Sequence, residues 1–336
     1  MHLPSPKEIK HYLPLSERQR RFIERSRDTV RKLLAGKDER LALVLGPCSI
    51  HDSDSALEFA HRLKKLSDEV ANDAFLVMRV YIEKPRTMLG WKGFLYDPYL
   101  DGSHDLRTGI YWSRQLLLHL AEMEVPAAME FLEPLAAPFF SDLITWGFIG
   151  ARTSYSQTHR QLASHLPMPV GFKNSVDGSI DAAIQGMMAA RIPHAFFHMD
   201  EEGKLCATES TGNPDTHIVL RGSTDSPNFS PAFVQEALQK MESVGAESRI
   251  LIDCSHGNSQ KEHLEQKAVF DNVLFQREEN PHILGMMLES HLNHGSQMLP
   301  ENPSLLSFGV SITDPCLDWA STEELTKSLT INHLHK

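Results

Sequence analysis

The sequence predicts a (β/α)8 TIM barrel, on three observations. From residue 41 onward, apolar runs of strand length alternate about eight times with segments of helical periodicity. The runs are mostly continuous rather than alternating, as expected of parallel strands buried on both faces. No Gly-rich dinucleotide fingerprint accompanies them, which disfavours an open doubly wound sheet. A chain of 336 residues with 41% hydrophobic content can fill one such core.

Residues 41–45 are an unbroken apolar run closed by Gly46-Pro47, the first strand. Residues 55–70 carry Leu57, Phe59, Ala60, Leu63 and Leu66 at helical spacing, and 75–82 is the second strand. A helix over 109–124 leads to a strand over 126–132, a helix over 139–146 to a strand over 148–150, and a helix over 156–165 to a strand over 170–172. A helix over 180–191 then leads to a sixth strand, Ala195-Phe196-Phe197. A helix over 230–244 precedes a strand over 249–252, residues 259–275 read as helical, 283–288 is the last strand, and a helix over 322–333 follows. Two segments exceed a minimal barrel. Residues 1–40 form an N-terminal extension with a charged helix over 17–34, whose thin apolar stripe is Phe22, Ile23, Val30 and Leu34. Within the barrel, 41–336, an extra extended element at about 200–222 reads as an inserted β-hairpin.

The formal net charge of −11 argues against nucleic acid or an anionic membrane as partner, because both require a basic face. Cys48, Cys206, Cys254 and Cys316 show no CxxC spacing, no apolar run is long enough to span a bilayer, and the charged, proline-broken start does not read as a signal peptide. The expectation is a cytoplasmic protein with reduced thiols.

In a barrel the chemistry sits at the C-terminal strand exits. Those positions hold Cys48, Arg79, Lys84, Glu130, Arg152, Lys173, Arg221, His256 and Glu289, with Asp314 in the loop after the last strand. In Lys84-Pro85-Arg86-Thr87 a proline fixes one torsion between two cations, so an ammonium, a guanidinium and a hydroxyl leave the strand pre-ordered, a good receptor for a phosphate. Each residue alone has a plainer reading. Cys48 could be core, His256 a turn residue, Glu289 a cap, and Asp314 the N-cap of a helix at Leu317. Together, a thiolate, an imidazole and two carboxylates form a mixed donor set suited to a divalent Lewis acid rather than to structural zinc. The clustered cations of an acidic chain point to two phosphorylated substrates.

Gly46-Pro47-Cys48-Ser49, Lys84-Pro85-Arg86-Thr87, Gly150-Ala151-Arg152-Thr153, Gly171-Phe172-Lys173-Asn174, Asp253-Cys254-Ser255-His256-Gly257-Asn258 and Ser311-Ile312-Thr313-Asp314 resemble the class I 3-deoxy-D-arabino-heptulosonate 7-phosphate (DAHP) synthases. The likeness runs in order from about residue 36 to the C-terminus. It implies condensation of phosphoenolpyruvate with erythrose 4-phosphate, the first step of the shikimate pathway to aromatic amino acids. It implies Cys48, His256, Glu289 and Asp314 as ligands of one divalent metal ion per subunit, Mn2+ ahead of Fe2+, Co2+ or Zn2+. Arg79, Lys84, Glu130, Ala151, Arg152, Lys173 and Arg221 would surround phosphoenolpyruvate. Lys84, Pro85, Arg86 and Thr87 would meet erythrose 4-phosphate. On that resemblance the aldehyde is polarised at the ion, C3 of the enol attacks it, water adds at C2, and phosphate leaves by C–O cleavage. Lys84, His256 or a metal-bound water would move the proton, and Cys48 and Asp314 would act with them in catalysis.

A homodimer or homotetramer and an aromatic amino acid effector are further implications. The family's sensor lies around the extra hairpin and the loop before the fifth strand, which here read His198-Met199-Asp200-Glu201-Glu202 and His165-Leu166-Pro167-Met168, unlike a phenylalanine-sensing pattern. Two alternatives stand beside this reading. One is a synthase of the 3-deoxy-octulosonate 8-phosphate type, which uses arabinose 5-phosphate and against which Lys84-Pro85-Arg86-Thr87 argues. The other is a non-catalytic regulatory barrel.

Overall fold

Eight parallel strands close on themselves in the computed structural model, which describes residues 2–86, 90–246 and 249–333, the side chains of the last three residues excepted. In chain order the strands are β1 (Leu41–Gly46), β2 (Ala74–Arg79), β3 (Ala127–Glu130), β4 (Trp146–Ile149), β5 (Val170–Lys173), β6 (Ala195–Met199), β7 (Leu205–Glu209), β8 (Thr216–Leu220), β9 (Ile250–Asp253) and β10 (Ile283–Glu289). The barrel order is β1-β10-β9-β8-β5-β4-β3-β2, and β6-β7 stands apart as an antiparallel pair. The helices are α1 (Pro6–Tyr12), α2 (Glu17–Leu34), α3 (Ser53–Glu69), α4 (Leu106–Glu122), α5 (Ala137–Phe140), α6 (Gln157–His165), α7 (Asp181–Ala190), α8 (Pro231–Ser243), α9 (Glu265–Glu279) and α10 (Trp319–His333).

The two-residue side-chain period of a strand divides the apolar residues into two cores. Ala42, Val44, Val77, Ala128, Trp146, Phe148, Val219, Leu251 and Met287 pack together inside the barrel. Leu43, Leu45, Leu76, Met78, Met129, Phe172, Ile218, Ile250 and Ile252 pack outward under the helices. Val30 and Leu33 of α2 join the inner core, so the N-terminal extension docks on its own barrel. Ser16 and Gln19 cap α2 reciprocally, and Arg27 donates to the carbonyls of Ser141 and Ile144. Helix α1, not foreseen from the sequence, meets the turn of the β6-β7 pair: Lys7 N–H donates to Glu201 O at 2.8 Å, and Lys7 and Lys10 pair with Glu202 and Glu201.

Several elements differ from the sequence reading. Ala195-Phe196-Phe197 belongs to the inserted hairpin and not to the barrel; the sixth barrel strand is Thr216–Leu220, inside the span expected to be the insertion. The burial shows why. Every residue of β8 is buried, whereas β6 and β7 contain no fully buried position. His217 disguised the strand; it is a core histidine whose Nε2 accepts from Trp146 Nε1 at 2.9 Å. The helix expected over 139–146 is a single turn, α5, flanked by 3-10 turns, because Trp146 is already inside the barrel as the first residue of β4. The helix expected from 259 begins at Glu265, after turns in which Gln260 and Lys261 adopt positive φ. Helix α10 starts at Trp319, where Asp318 accepts from Ser321 N–H, so Asp314 is not its cap.

Candidate active site

Continuing the inward register by two residues per strand generates the site. Val77 is followed inward by Arg79 and then Tyr81, Ala128 by Glu130, Phe148 by Gly150, Gly171 by Lys173, Val219 by Arg221, Leu251 by Asp253 and Met287 by Glu289. On β1 the same step from Val44 passes Gly46 to Cys48. Two glycines make room. A Cβ at Gly46 would lie 2.7 Å from Arg79 O, and one at Gly150 would lie 2.1 Å from Glu130 Oε1.

Cys48, Arg79, Lys84, Pro85, Arg86, Glu130, Ala151, Arg152, Lys173, Arg221, His256 and Asp314 line one cleft of about 910 Å³. Glu289 lies beside it and lines a small chamber with His256 and Asp314. Thr87 lies outside the described residues.

The thiol–carboxylate group is tightly drawn. Ligand atoms of Cys48, Glu289 and Asp314 all fall within 4.8 Å of one another. His256 stands outside that threesome and reaches it through Glu289, with Nε2 3.5 Å from Oε1. Its Nδ1 is 3.0 Å from Asp253 Oδ2, which orients the ring so that Nε2 faces the group. That is the carboxylate–imidazole pairing that supports a metal-binding histidine. His256 holds φ of 56°, a costly conformation for a residue with a Cβ and one that aims the ring. Lys84 Nζ lies 2.8 Å from both Cys48 Sγ and Asp314 Oδ2, so a cation already sits against two of the donors. One thiol, one imidazole and two carboxylates about a cation-seeking point fit a divalent ion.

Electrostatics tie this group to the cationic wall. Burial and Glu289 push the Cys48 thiol up to about 12. Burial opposes the charge of Asp314, but Lys84 holds it well below the usual carboxylate range. Burial likewise opposes the Lys84 ammonium, yet Cys48 and Asp314 keep it above the ordinary lysine value. Arg79 donates to Glu289 Oε1 at 2.9 Å and to the carbonyls of Pro47 and Cys48. Lys173 donates to Asp253 Oδ2 at 2.9 Å. Asp253 is fully buried; desolvation opposes its charge, and His256 with Lys173 nevertheless holds it well below the usual range. Desolvation, with Arg152 adding to it, lowers the Arg221 guanidinium, while Asp253 works the other way.

Sequence reasoning missed Asp253 as a functional residue, although it sits in the quoted Asp253-Cys254-Ser255-His256 segment. The signal was available: it is the inward position of β9 one step above Leu251. It also missed Asn174, which accepts from Arg221 N–H at 2.7 Å and donates to Gly222 O, fixing the β8 exit. Glu83 anchors the Lys84 segment. It accepts from the N–H groups of Leu132 and Glu133 and from Tyr96 OH, and burial pushes its carboxyl up to about 8.

A model of the DAHP synthetase I family matches residues 14–327. The Tyr-sensitive phospho-2-dehydro-3-deoxyheptonate aldolase of Escherichia coli (strain K12) is 45% identical over 328 residues, 97% of this chain and 92% of that one. The Phe-sensitive aldolase of the same organism is 42% identical over 333 residues, 96% of this chain and 95% of that one. The solved phospho-2-dehydro-3-deoxyheptonate aldolase of Francisella tularensis SCHU S4 superimposes with a TM-score of 0.96 at 39% identity, covering 98% of this chain and 96% of that one.

Proposed function

Because the chain belongs to the DAHP synthetase I family and condenses phosphoenolpyruvate with D-erythrose 4-phosphate and water to DAHP and phosphate, the first step of aromatic amino acid biosynthesis, we propose the following division of labour in its cleft. The observation that carries it is the meeting of a cationic wall and a thiol–imidazole–carboxylate group at one barrel mouth. The family match removes the motive for the arabinose 5-phosphate and non-catalytic alternatives.

Cys48, His256, Glu289 and Asp314 hold one divalent ion per subunit, Mn2+ first, with Fe2+, Co2+ or Zn2+ accepted by the same mixed donors. Bound there, the ion supplies Lewis acidity to a carbonyl oxygen. Arg79, Arg152, Lys173 and Arg221 neutralise the phosphate and carboxylate of phosphoenolpyruvate, with Glu130 and Ala151 shaping the pocket between them. Lys84, Pro85, Arg86 and Thr87 receive erythrose 4-phosphate. Arg86 Nε donates to Trp91 O at 2.8 Å, which leaves the outer edge of its guanidinium to a phosphate. Lys84 touches both halves of the site. Its proton is the one we assign to transfer, because Lys84 Nζ reaches both Cys48 and Asp314, whereas His256 Nδ1 is taken up by Asp253 and Ser255. Alignment and charge neutralisation are the protein's main contributions.

Arg86→Ala is expected to raise the Michaelis constant for erythrose 4-phosphate far more than that for phosphoenolpyruvate, by on the order of 1.5–3 kcal/mol in binding for one charge-assisted contact. Arg152→Ala is expected to show the opposite preference. Steady-state kinetics with each substrate varied checks both; equal effects on the two substrates in both variants would overturn the division.

Residues 1–40 serve as an extension of a single catalytic barrel, and the protein assembles as a homodimer or homotetramer. The support is the outer face of the β6-β7 pair, where Phe197 is 82% and Leu205 71% exposed. An aromatic amino acid acts on the same hairpin region, where the rings of His165, Phe196 and His198 gather with centroids 5.1–5.9 Å apart. Two relatives are named for sensitivity to tyrosine and to phenylalanine. A cytoplasmic site of action suits four free cysteines and, among the described residues, no helix long and apolar enough to cross a membrane.

A further inference from the structure

Tyr81 is the one residue of the inward register that the assignments above leave without a role. Its ring lines the cleft and at the same time tops the inner core with Val77, Trp146 and Phe148. The residue is 2% exposed, and its hydroxyl is buried without a hydrogen-bond partner among the described residues. The ring is not idle. The Arg79 guanidinium carbon stacks 3.7 Å from its centroid and Lys173 Nζ lies 5.7 Å away. Both cations face the π cloud while their polar hydrogens reach Glu289 and Asp253.

A buried hydroxyl left unsatisfied is costly, and natural interiors rarely keep one. Where such a hydroxyl belongs to a residue that lines a binding cleft, a ligand atom is a partner it can take. The surroundings define that partner. Arg79 and Lys173 lie over the phenol ring, and their charge favours an anionic oxygen as that partner. Burial pushes the phenol well above the ordinary tyrosine value, so it stays protonated and donates rather than accepting. An uncharged donor on a ring that two cations overlie adds a directed hydrogen bond where the cations supply charge.

We propose that Tyr81 is a further substrate-positioning residue: its ring seats Arg79 and Lys173, and its hydroxyl donates to an anionic oxygen of phosphoenolpyruvate at the cleft floor. This rests on the reading of Arg79 and Lys173 as the phosphoenolpyruvate cradle. It has an unusual double consequence. The hydroxyl is unpartnered in the free protein and partnered in the complex, so removing it relieves the first and weakens the second.

The test is Tyr81→Phe in the full, Mn2+-loaded protein, with phosphoenolpyruvate binding measured alone by calorimetry and thermal midpoints measured with and without it. The expected result is a midpoint unchanged or raised without substrate and an affinity for phosphoenolpyruvate weaker by about tenfold or more. The Michaelis constant for erythrose 4-phosphate stays within about twofold on the same argument. Unchanged phosphoenolpyruvate affinity overturns the proposal. So does a lowered midpoint or a failure to fold, because the hydroxyl would then have had a partner in the free protein. Lys173→Ala in the same binding experiment separates the two levels: if it too binds normally, the cradle reading fails; if it binds poorly while Tyr81→Phe does not, only the role of Tyr81 fails.

Discussion

Cys48→Ala is expected to abolish turnover while leaving the barrel folded. Cys48 is the thiol of the proposed ligand set, in a group whose donor atoms close to within 4.8 Å. Lewis-acid stabilisation is worth several kcal/mol, and each 1.36 kcal/mol is tenfold in rate, so the loss is on the order of a thousandfold or more. The folding cost is small by comparison. One buried sulfur is removed, Lys84 keeps Asp314 at 2.8 Å, and the Cys48 N–H contact to Cys316 Sγ does not involve the deleted atom. Metal content by mass spectrometry, turnover and the thermal midpoint should be read together. A variant that unfolds yet keeps full specific activity in its folded fraction would return Cys48 to the core.

Asp253→Asn should produce the largest joint loss of stability and metal affinity. The carboxylate is fully buried; Oδ2 meets Lys173 at 2.9 Å and His256 at 3.0 Å, and Oδ1 accepts from Ser255 N–H at 3.1 Å and from the Ser255 hydroxyl. The amide keeps the shape but not the charge. Lys173 is then a buried ammonium without its counter-ion, and breaking a buried pair from one side typically costs about 3–5 kcal/mol. His256 loses the acceptor that fixes its ring, and loss of such a partner typically costs about 10–100-fold in metal affinity. Denaturant unfolding checks the first figure and chelator competition the second. Wild-type values for both would mean that Lys173 and His256 are held by something other than Asp253.

These expectations rest on residues of unequal legibility. The rim was readable because strand exits in a parallel barrel all point the same way, and an acidic chain that places Arg79, Lys84, Arg152, Lys173 and Arg221 at those exits has a reason for it. The strand that carries Arg221 was misread, because apolar content alone favours Ala195-Phe196-Phe197 over a segment interrupted by His217. Only tertiary structure reveals that Trp146 satisfies that histidine. Tyr81 was hidden inside a run read as strand over 75–82, and Asp253 sits one residue past the run read over 249–252. Their importance comes from partners on other strands, Lys173 from β5 for both and Glu289 through Arg79. Helix α1 is short and carries its meaning in a contact some 190 residues away, Lys10 with Glu201, which no local pattern encodes.

The most direct test of the central claim, that a divalent ion and a cationic wall at this barrel mouth join the two phosphorylated substrates, is phosphate release from phosphoenolpyruvate and erythrose 4-phosphate by chelator-stripped protein whose metal content has been measured. The account predicts no release from the stripped protein, recovery on adding Mn2+ or another divalent ion, and no recovery in Cys48→Ala. Sustained phosphate release by protein shown to be metal-free would contradict it.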